Sequence, residues 1–212
     1  LKLREKLKLY VITDGRLADE VEGTEKALKG GATTIQLRMK EAPTREMIRV
    51  GKEIRKLTSE YEALFFVNDR VDVALAVDAD GAHVGQEDMP VELVKEIAPN
   101  LIVGVSASSL EEAIEAEKGG ADYIGAGTIF PTVTKEDVEF LGLEALEEVV
   151  KRVRIPVVAI GGINHESALK VLEKGVEGIA VISAIMGAED IEEATRRMRK
   201  IIDDFFKDHE KD

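Results

Sequence analysis

The sequence predicts a closed (β/α)8 barrel, a compact single-domain TIM barrel of the α/β class, on three observations. Eight short, apolar, often β-branched segments alternate with amphipathic helical segments along the whole chain. A softer repeat, heard in KGGATTIQL, ADGAHVG, KGGADYIGAG and EKGVEGIAVIS, places glycine where a helix or turn ends and a strand begins. Strand 1 leads into TDGRLAD rather than a GxGxxG turn, which weighs against a doubly wound open sheet.

Taken in order, the strands read at Leu9–Thr13, Thr33–Leu37, Ala63–Val67, Gly81–Val84, Leu101–Val105, Tyr123–Ala126, Pro156–Ile160 and Gly178–Ile182. They are short and apolar throughout, as strands covered by helices on one face and packed inside on the other should be. Helical stretches such as Arg45–Glu60 and Ser109–Lys118 carry apolar residues at spacings of three and four, with charges between. No linker or low-complexity tract interrupts the pattern. One domain over residues 1–212 is expected, with a tail frayed from about residue 205.

Composition narrows the function. Cysteine is absent, which excludes disulfides, thiolate chemistry and Cys-ligated metals. No run of eighteen apolar residues spans a membrane, and the first residues lack a signal peptide's apolar region, so a cytoplasmic location and no membrane partner are expected. A net charge of −13 repels nucleic acid, so none is expected as a partner. It does not exclude a small phosphorylated substrate, because a pocket can be locally positive. Few Asn and Gln, with helices rich in Glu and Lys, hint at heat stability through ion pairs. Monomer and small homo-oligomer both remain open.

In a barrel of this kind chemistry gathers after the C-terminal ends of the strands. After strand 2, QLRMK sets Gln36, Arg38 and Lys40 at alternate positions, hence on one side of an extended segment. Two cations and an amide suit a phosphate-bearing substrate, or form a solvated rim. After strands 3 and 4, VNDR and GQEDMP bring Asn68, Asp69 and Asp88. Either aspartate could cap a helix; together they could converge on one hard cation such as Mg2+, with Glu87 competing with Asp88. Ser106 directly follows strand 5, a hydrogen-bond donor for a leaving group or a turn serine, while Ser108 or Ser109 could cap the next helix.

The stretch GTIFPTVTKED, Gly127–Asp137, follows strand 6 and has no helical pattern to about Phe140, which makes it a candidate lid. Thr132, Thr134 and Lys135 are partners a phosphoryl oxygen would take, unless Lys135 pairs with Glu136 or Asp137. AIGGIN after strand 7, with Gly161 and Gly162, and VISAIMG after strand 8, with Ser183 and Gly187, occupy the place where barrels commonly bind phosphate. One phosphate at loops 7 and 8 and a second, metal-bound phosphate or diphosphate at loops 2, 3, 4 and 6 describe this layout best. The three histidines, His83, His165 and His209, read as a packed strand residue, a first-turn helix residue and a tail residue.

Nine segments in order, YVITD, QLRMK, VNDR, HVGQED, GVSA, FPTVTK, GLEAL, AIGGI and VISAI, resemble the motifs of the thiamine-phosphate synthase family over nearly the whole barrel. The resemblance implies a transferase of thiamine biosynthesis. It joins a hydroxymethylpyrimidine diphosphate to a thiazole phosphate with release of pyrophosphate, through a dissociative mechanism needing Mg2+ and no protein nucleophile. By position it implies Asp69 and Asp88 as metal ligands. Gln36, Arg38, Lys40, Asn68 and Lys135 become diphosphate and pyrimidine contacts, with Ser106 near the leaving group. Thr132 and Thr134 would hold the thiazole phosphate together with Gly162, Ile182 and Ser183. Lys135, Ser106, Arg38 and Lys40 would carry the catalytic electrostatics. Met39 stands where the family often has an acid, Ser108 where a histidine often follows GVSA, and VEFL lacks a proline common before GLE.

Three other readings compete, one of them a sugar-phosphate epimerase or isomerase, which would explain loops 7 and 8 but not Asp69 and Asp88 together with QLRMK. A thiazole tautomerase-like relative would need a histidine as acid/base near loop 5, where the sequence has Ser106 and no neighbouring histidine. A barrel that only binds a phosphorylated metabolite would have little use for a metal-ready carboxylate pair opposite a lid lysine.

Overall fold

The computed structural model of the chain describes residues 2–131 and 140–209. Its eight parallel strands are β1 Leu9–Ile12, β2 Thr34–Leu37, β3 Leu64–Asn68, β4 Gly81–Val84, β5 Ile102–Ala107, β6 Tyr123–Ala126, β7 Val157–Ile160 and β8 Gly178–Val181. They pair in chain order and β8 closes on β1, through Leu9 opposite Ile179 and Val11 opposite Val181. Every strand read from the sequence is present within two residues of its expected ends. The largest difference is at β5, which runs on to Ala107, so Ser106 lies inside the strand.

Helix α1 (Lys2–Lys6) precedes the barrel. α2 (Glu20–Lys29), α3 (Thr44–Glu60), α4 (Val71–Ala76), α5 (Val91–Ile97), α6 (Leu110–Lys118), α7 (Gly142–Arg152), α8 (Ala168–Leu172), α9 (Ser183–Met186) and α10 (Ile191–His209) follow. Local chemistry sets several starts. Asp19 accepts from the Val21 and Glu22 amides at the head of α2, and Ser109 accepts from the Glu112 amide at the head of α6. Asp69 and Asp88 are not caps: Arg70 and Pro90 stand at those positions, without a side-chain cap bond. The frayed tail is corrected in part. α10 continues through Phe205 and Phe206 to His209, and both rings pack on the main core, with Lys8 over the Phe206 ring.

Two cores result from the period-two strands. Outward residues such as Val11, Ile35, Phe65, Val67, Val103, Ile124 and Ile179 meet the helices. Inward residues Tyr10, Ile12, Phe66, Tyr123, Val158, Ala180 and Ile182 fill the barrel, with Leu7 closing the floor. The aromatic side chains fit because neighbouring strands offer glycine. A Cβ on Gly104 would stand 2.0 Å from the Tyr123 ring, and one on Gly81 2.5 Å from Phe66.

Candidate active site

The inward residues change from apolar to polar toward the C-terminal end of the barrel. On β2 and β3 the inward Gln36 and Asn68 come last, and their strand neighbours are Ile12 and His83. Gln36 is buried, and its Nε2 donates to the Tyr10 hydroxyl at 2.8 Å. The Tyr10 and Tyr123 hydroxyls meet at 2.7 Å. His83 Nδ1 lies 2.8 Å from the Tyr123 hydroxyl, and its Nε2 lies 2.8 Å from Ser106 Oγ. Burial pushes both tyrosine hydroxyls well above their ordinary pKa, so they stay protonated. Thus His83 is a packed strand residue, as expected, but it also touches a candidate site residue. The expectation of no histidine near Ser106 is overturned: the partner lies 23 residues away in sequence and on the adjacent strand.

A second cluster lies above β1 to β4. Asp69 takes φ +62°, a left-handed conformation unusual outside glycine, and its amide donates to the His83 carbonyl at 2.8 Å. Its carboxyl meets that of Asp88. Burial, and then the hydrogen bond and negative charge of Asp88, push the Asp69 pKa up to about 6, against the pull of Lys40 and Arg38. Lys40 Nζ stands 3.9 Å from Asp69 Oδ2. Asp88 is itself held by the Gly85 amide, which donates to its Oδ2 at 2.7 Å, while Glu87 is exposed. Arg38 is half-buried between the charges of Asp14 and Asp69, and its amide donates to Thr13 Oγ1.

Asp14 escaped the sequence reading. It is buried at the end of β1, and Arg16 donates to it from its backbone amide, Nε and Nη2. These bonds hold its carboxyl below the usual carboxylate range. The only signal was its place directly after a strand, in YVITD.

A pocket opens between β5, β6, β7 and β8. Ser106, Gly127, Thr128, Gly162, Ile182 and Ser183 are among its lining residues. Gly162 has φ +64°, and a Cβ there would stand 2.8 Å from the Phe130 and Pro131 carbonyls, so the close approach needs glycine. The segment after β6 is pinned at both ends. Ile129 and Phe130 donate to the carbonyls of Ile160 and Gly161, and Leu141 donates to that of Thr128. Thr132, Thr134 and Lys135 lie outside the described residues. The structure thus brings Gln36, Asn68 and Ser106 to one inner cavity and Ser106, Gly162, Ile182 and Ser183 to the outer pocket. It groups Arg38, Lys40, Asp69 and Asp88 beside them.

A family model described as thiamine monophosphate synthase matches residues 9–185, from the start of β1 to α9. The chain belongs to the thiamine monophosphate synthase family. Its sequence is 66% identical over 204 residues to the thiamine-phosphate synthase of Pyrococcus furiosus, covering 96% of this chain and 99% of that one. It is 56% identical over 207 residues to the thiamine-phosphate synthase of Methanococcus maripaludis, covering 98% and 100%. Among solved structures, the thiamine phosphate pyrophosphorylase of Pyrococcus furiosus superposes with a TM-score of 0.93 at 65% identity, over 95% of this chain and 98% of that one. Family membership accounts for the order of the nine motifs. The contacts among Gln36, His83, Tyr123 and Ser106 come from the structure of this chain alone. Among the described residues no helix is long and apolar enough to cross a membrane.

Proposed function

We propose that this chain is a thiamine-phosphate synthase, coupling 4-amino-2-methyl-5-hydroxymethylpyrimidine diphosphate to 4-methyl-5-(2-phosphoethyl)thiazole with release of pyrophosphate. Beyond the family, one observation carries the reading. A cation-flanked pair of carboxylates, Asp69 and Asp88, stands at the same barrel end as a glycine-rimmed pocket reached by Ser106. That layout serves two phosphorylated ligands.

The residues present fit Mg2+. Two oxygen-donor carboxylates in contact, one with its pKa raised first by burial and then by the other, form a pair that a divalent cation relieves. Among the described residues no group of three or more His, Asp or Glu could hold a metal, so Asp69 and Asp88 would supply only part of the ion's oxygen ligands. When bound by Asp69 and Asp88, Mg2+ supplies positive charge to the diphosphate.

The rest of the chemistry belongs to this chain's residues. Arg38 and Lys40, with Lys135 from the candidate lid, bring cationic groups to the leaving pyrophosphate, and Ser106 offers a hydroxyl. Gln36 and Asn68 orient the pyrimidine at the inner cavity. Thr132, Thr134, Gly162, Ile182 and Ser183 hold the thiazole phosphate in the outer pocket. The methylene carbon–oxygen bond to diphosphate breaks first, the aminopyrimidine carries the resulting cation, and the thiazole nitrogen closes the new bond. Positioning and leaving-group electrostatics do the work, and no protein nucleophile is required.

Pyrophosphate release with Mg2+ and the pyrimidine diphosphate, with and without the thiazole phosphate, tests this. Release that depends on the thiazole phosphate and yields thiamine phosphate is expected, with large losses for Asp69→Ala and Lys135→Ala. Binding of the thiazole phosphate without any release sinks the synthase reading in favour of a tautomerase or a binding protein.

A further inference from the structure

The five-membered chain Gln36–Tyr10–Tyr123–His83–Ser106 crosses the barrel from β2 to β5 by way of strands that are not neighbours. The hydroxyls of β1 and β6 meet inside it. Barrel interiors are ordinarily filled by branched aliphatic side chains. Two wholly buried phenols and an imidazole are a costly filling unless each polar atom is bonded. Here both ends of the chain, Gln36 and Ser106, line the inner cavity, and Ser106 also lines the outer pocket.

We propose that Tyr123 is a positioning residue. Through Tyr10 and His83 it holds Gln36 and Ser106 in one directed hydrogen-bond chain that presents an amide carbonyl at one end and a hydroxyl proton at the other. The direction follows from counting protons. Gln36 Nε2 donates to Tyr10, and Tyr10 has one proton, which goes to the Tyr123 hydroxyl. Tyr123 has one proton in turn, which goes to His83 Nδ1. A neutral His83 then carries its proton on Nε2 and donates to Ser106 Oγ. The Ser106 proton is then left to point into the pocket, and Gln36 Oε1 is left as an acceptor.

The opposite direction requires the Gln36 amide turned over, and it spends the Ser106 proton on His83. Serine lone pairs would then face a diphosphate, which accepts hydrogen bonds and offers none. This inference rests on the synthase reading for what fills the pocket, but not for the direction of the chain. Its consequence is coupling. Gln36 and Ser106 sit at opposite ends of a single network, and Tyr123 is the member through which both are set.

The experiment is nitrogen NMR of the imidazoles in the substrate-free, histidine-labelled protein, beside steady-state kinetics of two single-oxygen deletions. With three histidines in the chain, the His83 signals are assigned by their loss in His83→Gln. The expected wild-type state is one neutral tautomer protonated at Nε2. Tyr123→Phe takes the donor from Nδ1, so the two tautomers mix. It lowers kcat roughly tenfold to a hundredfold through a misaimed Ser106, with the KM for the thiazole phosphate within about twofold. Tyr10→Phe leaves Tyr123 bonded to Nδ1 and preserves the His83 signals, while raising the KM for the pyrimidine diphosphate.

A wild-type His83 protonated at Nδ1 overturns the proposal without any variant. So does a folded Tyr123→Phe protein that keeps both the tautomer and kcat. Wild-type protein that shows the Nε2 tautomer but forms no thiamine phosphate removes the synthase reading and leaves the directed chain supported.

Discussion

Asp69 shows how much one residue position can carry. Its left-handed backbone, its contact with Asp88 and its elevated pKa are one arrangement: a half-buried carboxyl turned toward a like charge, which a proton or a cation offsets. Asp69→Asn keeps the side-chain shape, and asparagine tolerates this backbone region. We expect it to raise the thermal midpoint in metal-free buffer, through a gain in stability on the order of 1 kcal/mol for a partly solvated pair. It should also weaken the Mg2+ dependence of pyrophosphate release at least tenfold. Calorimetry and a Mg2+ titration of the rate check both, and a variant that is destabilised without metal contradicts the picture. Asp69 and Asp88 could be named from the sequence because each follows a strand in a recognisable motif. The reach of His83 could not. Its partners Ser106 and Tyr123 lie 23 and 40 residues away, and nothing local to HVGQED announces them.

Strands and helices divide the labour differently. Short apolar runs between helical segments made the strands visible, yet they did not show that inward aromatics on one strand require glycine on the next. Gly104→Ala drives a methyl group into the Tyr123 ring, so denaturant unfolding should show a loss of about 1–3 kcal/mol. Activity should fall as well, because Tyr123 is displaced. Ser109→Ala removes only the cap of α6; about 1 kcal/mol of stability should go, with kcat unchanged. A kcat that falls with Ser109→Ala would mean that α6 reports on the site and does not merely support it. The end of β5 was misjudged because GVSASS reads as a turn. Pairing with β6, Ser106 to Gly125 and Ala107 to Ala126, extends the strand, and that is a tertiary fact.

Across the whole molecule, the barrel separates stability from chemistry by its two ends. Leu7 is fully buried at the floor, far along the strands from Asp69 and Ser106. Leu7→Ala should lower stability by about 2–5 kcal/mol while leaving both KM values unchanged at temperatures where the protein stays folded. Altered KM values in a folded Leu7→Ala protein would show that floor packing reaches the pocket.

By itself the sequence determined the alternation of strand and helix, hence the barrel, and therefore which loops share one face. Hydrophobic period and glycine position are local, and barrel closure follows from repeating them eight times. It also named the residues whose chemistry is written in short motifs: Gln36, Arg38, Lys40, Asn68, Asp69, Asp88 and Gly162. The tertiary structure alone decided which of those residues touch. It set Asp69 against Asp88, carried β5 past Ser106, and ran a hydrogen-bond chain across the barrel. The physical reason is that closure brings distant strands within side-chain reach, and a buried polar atom must then find its partner across the barrel, where no sequence neighbour can supply it.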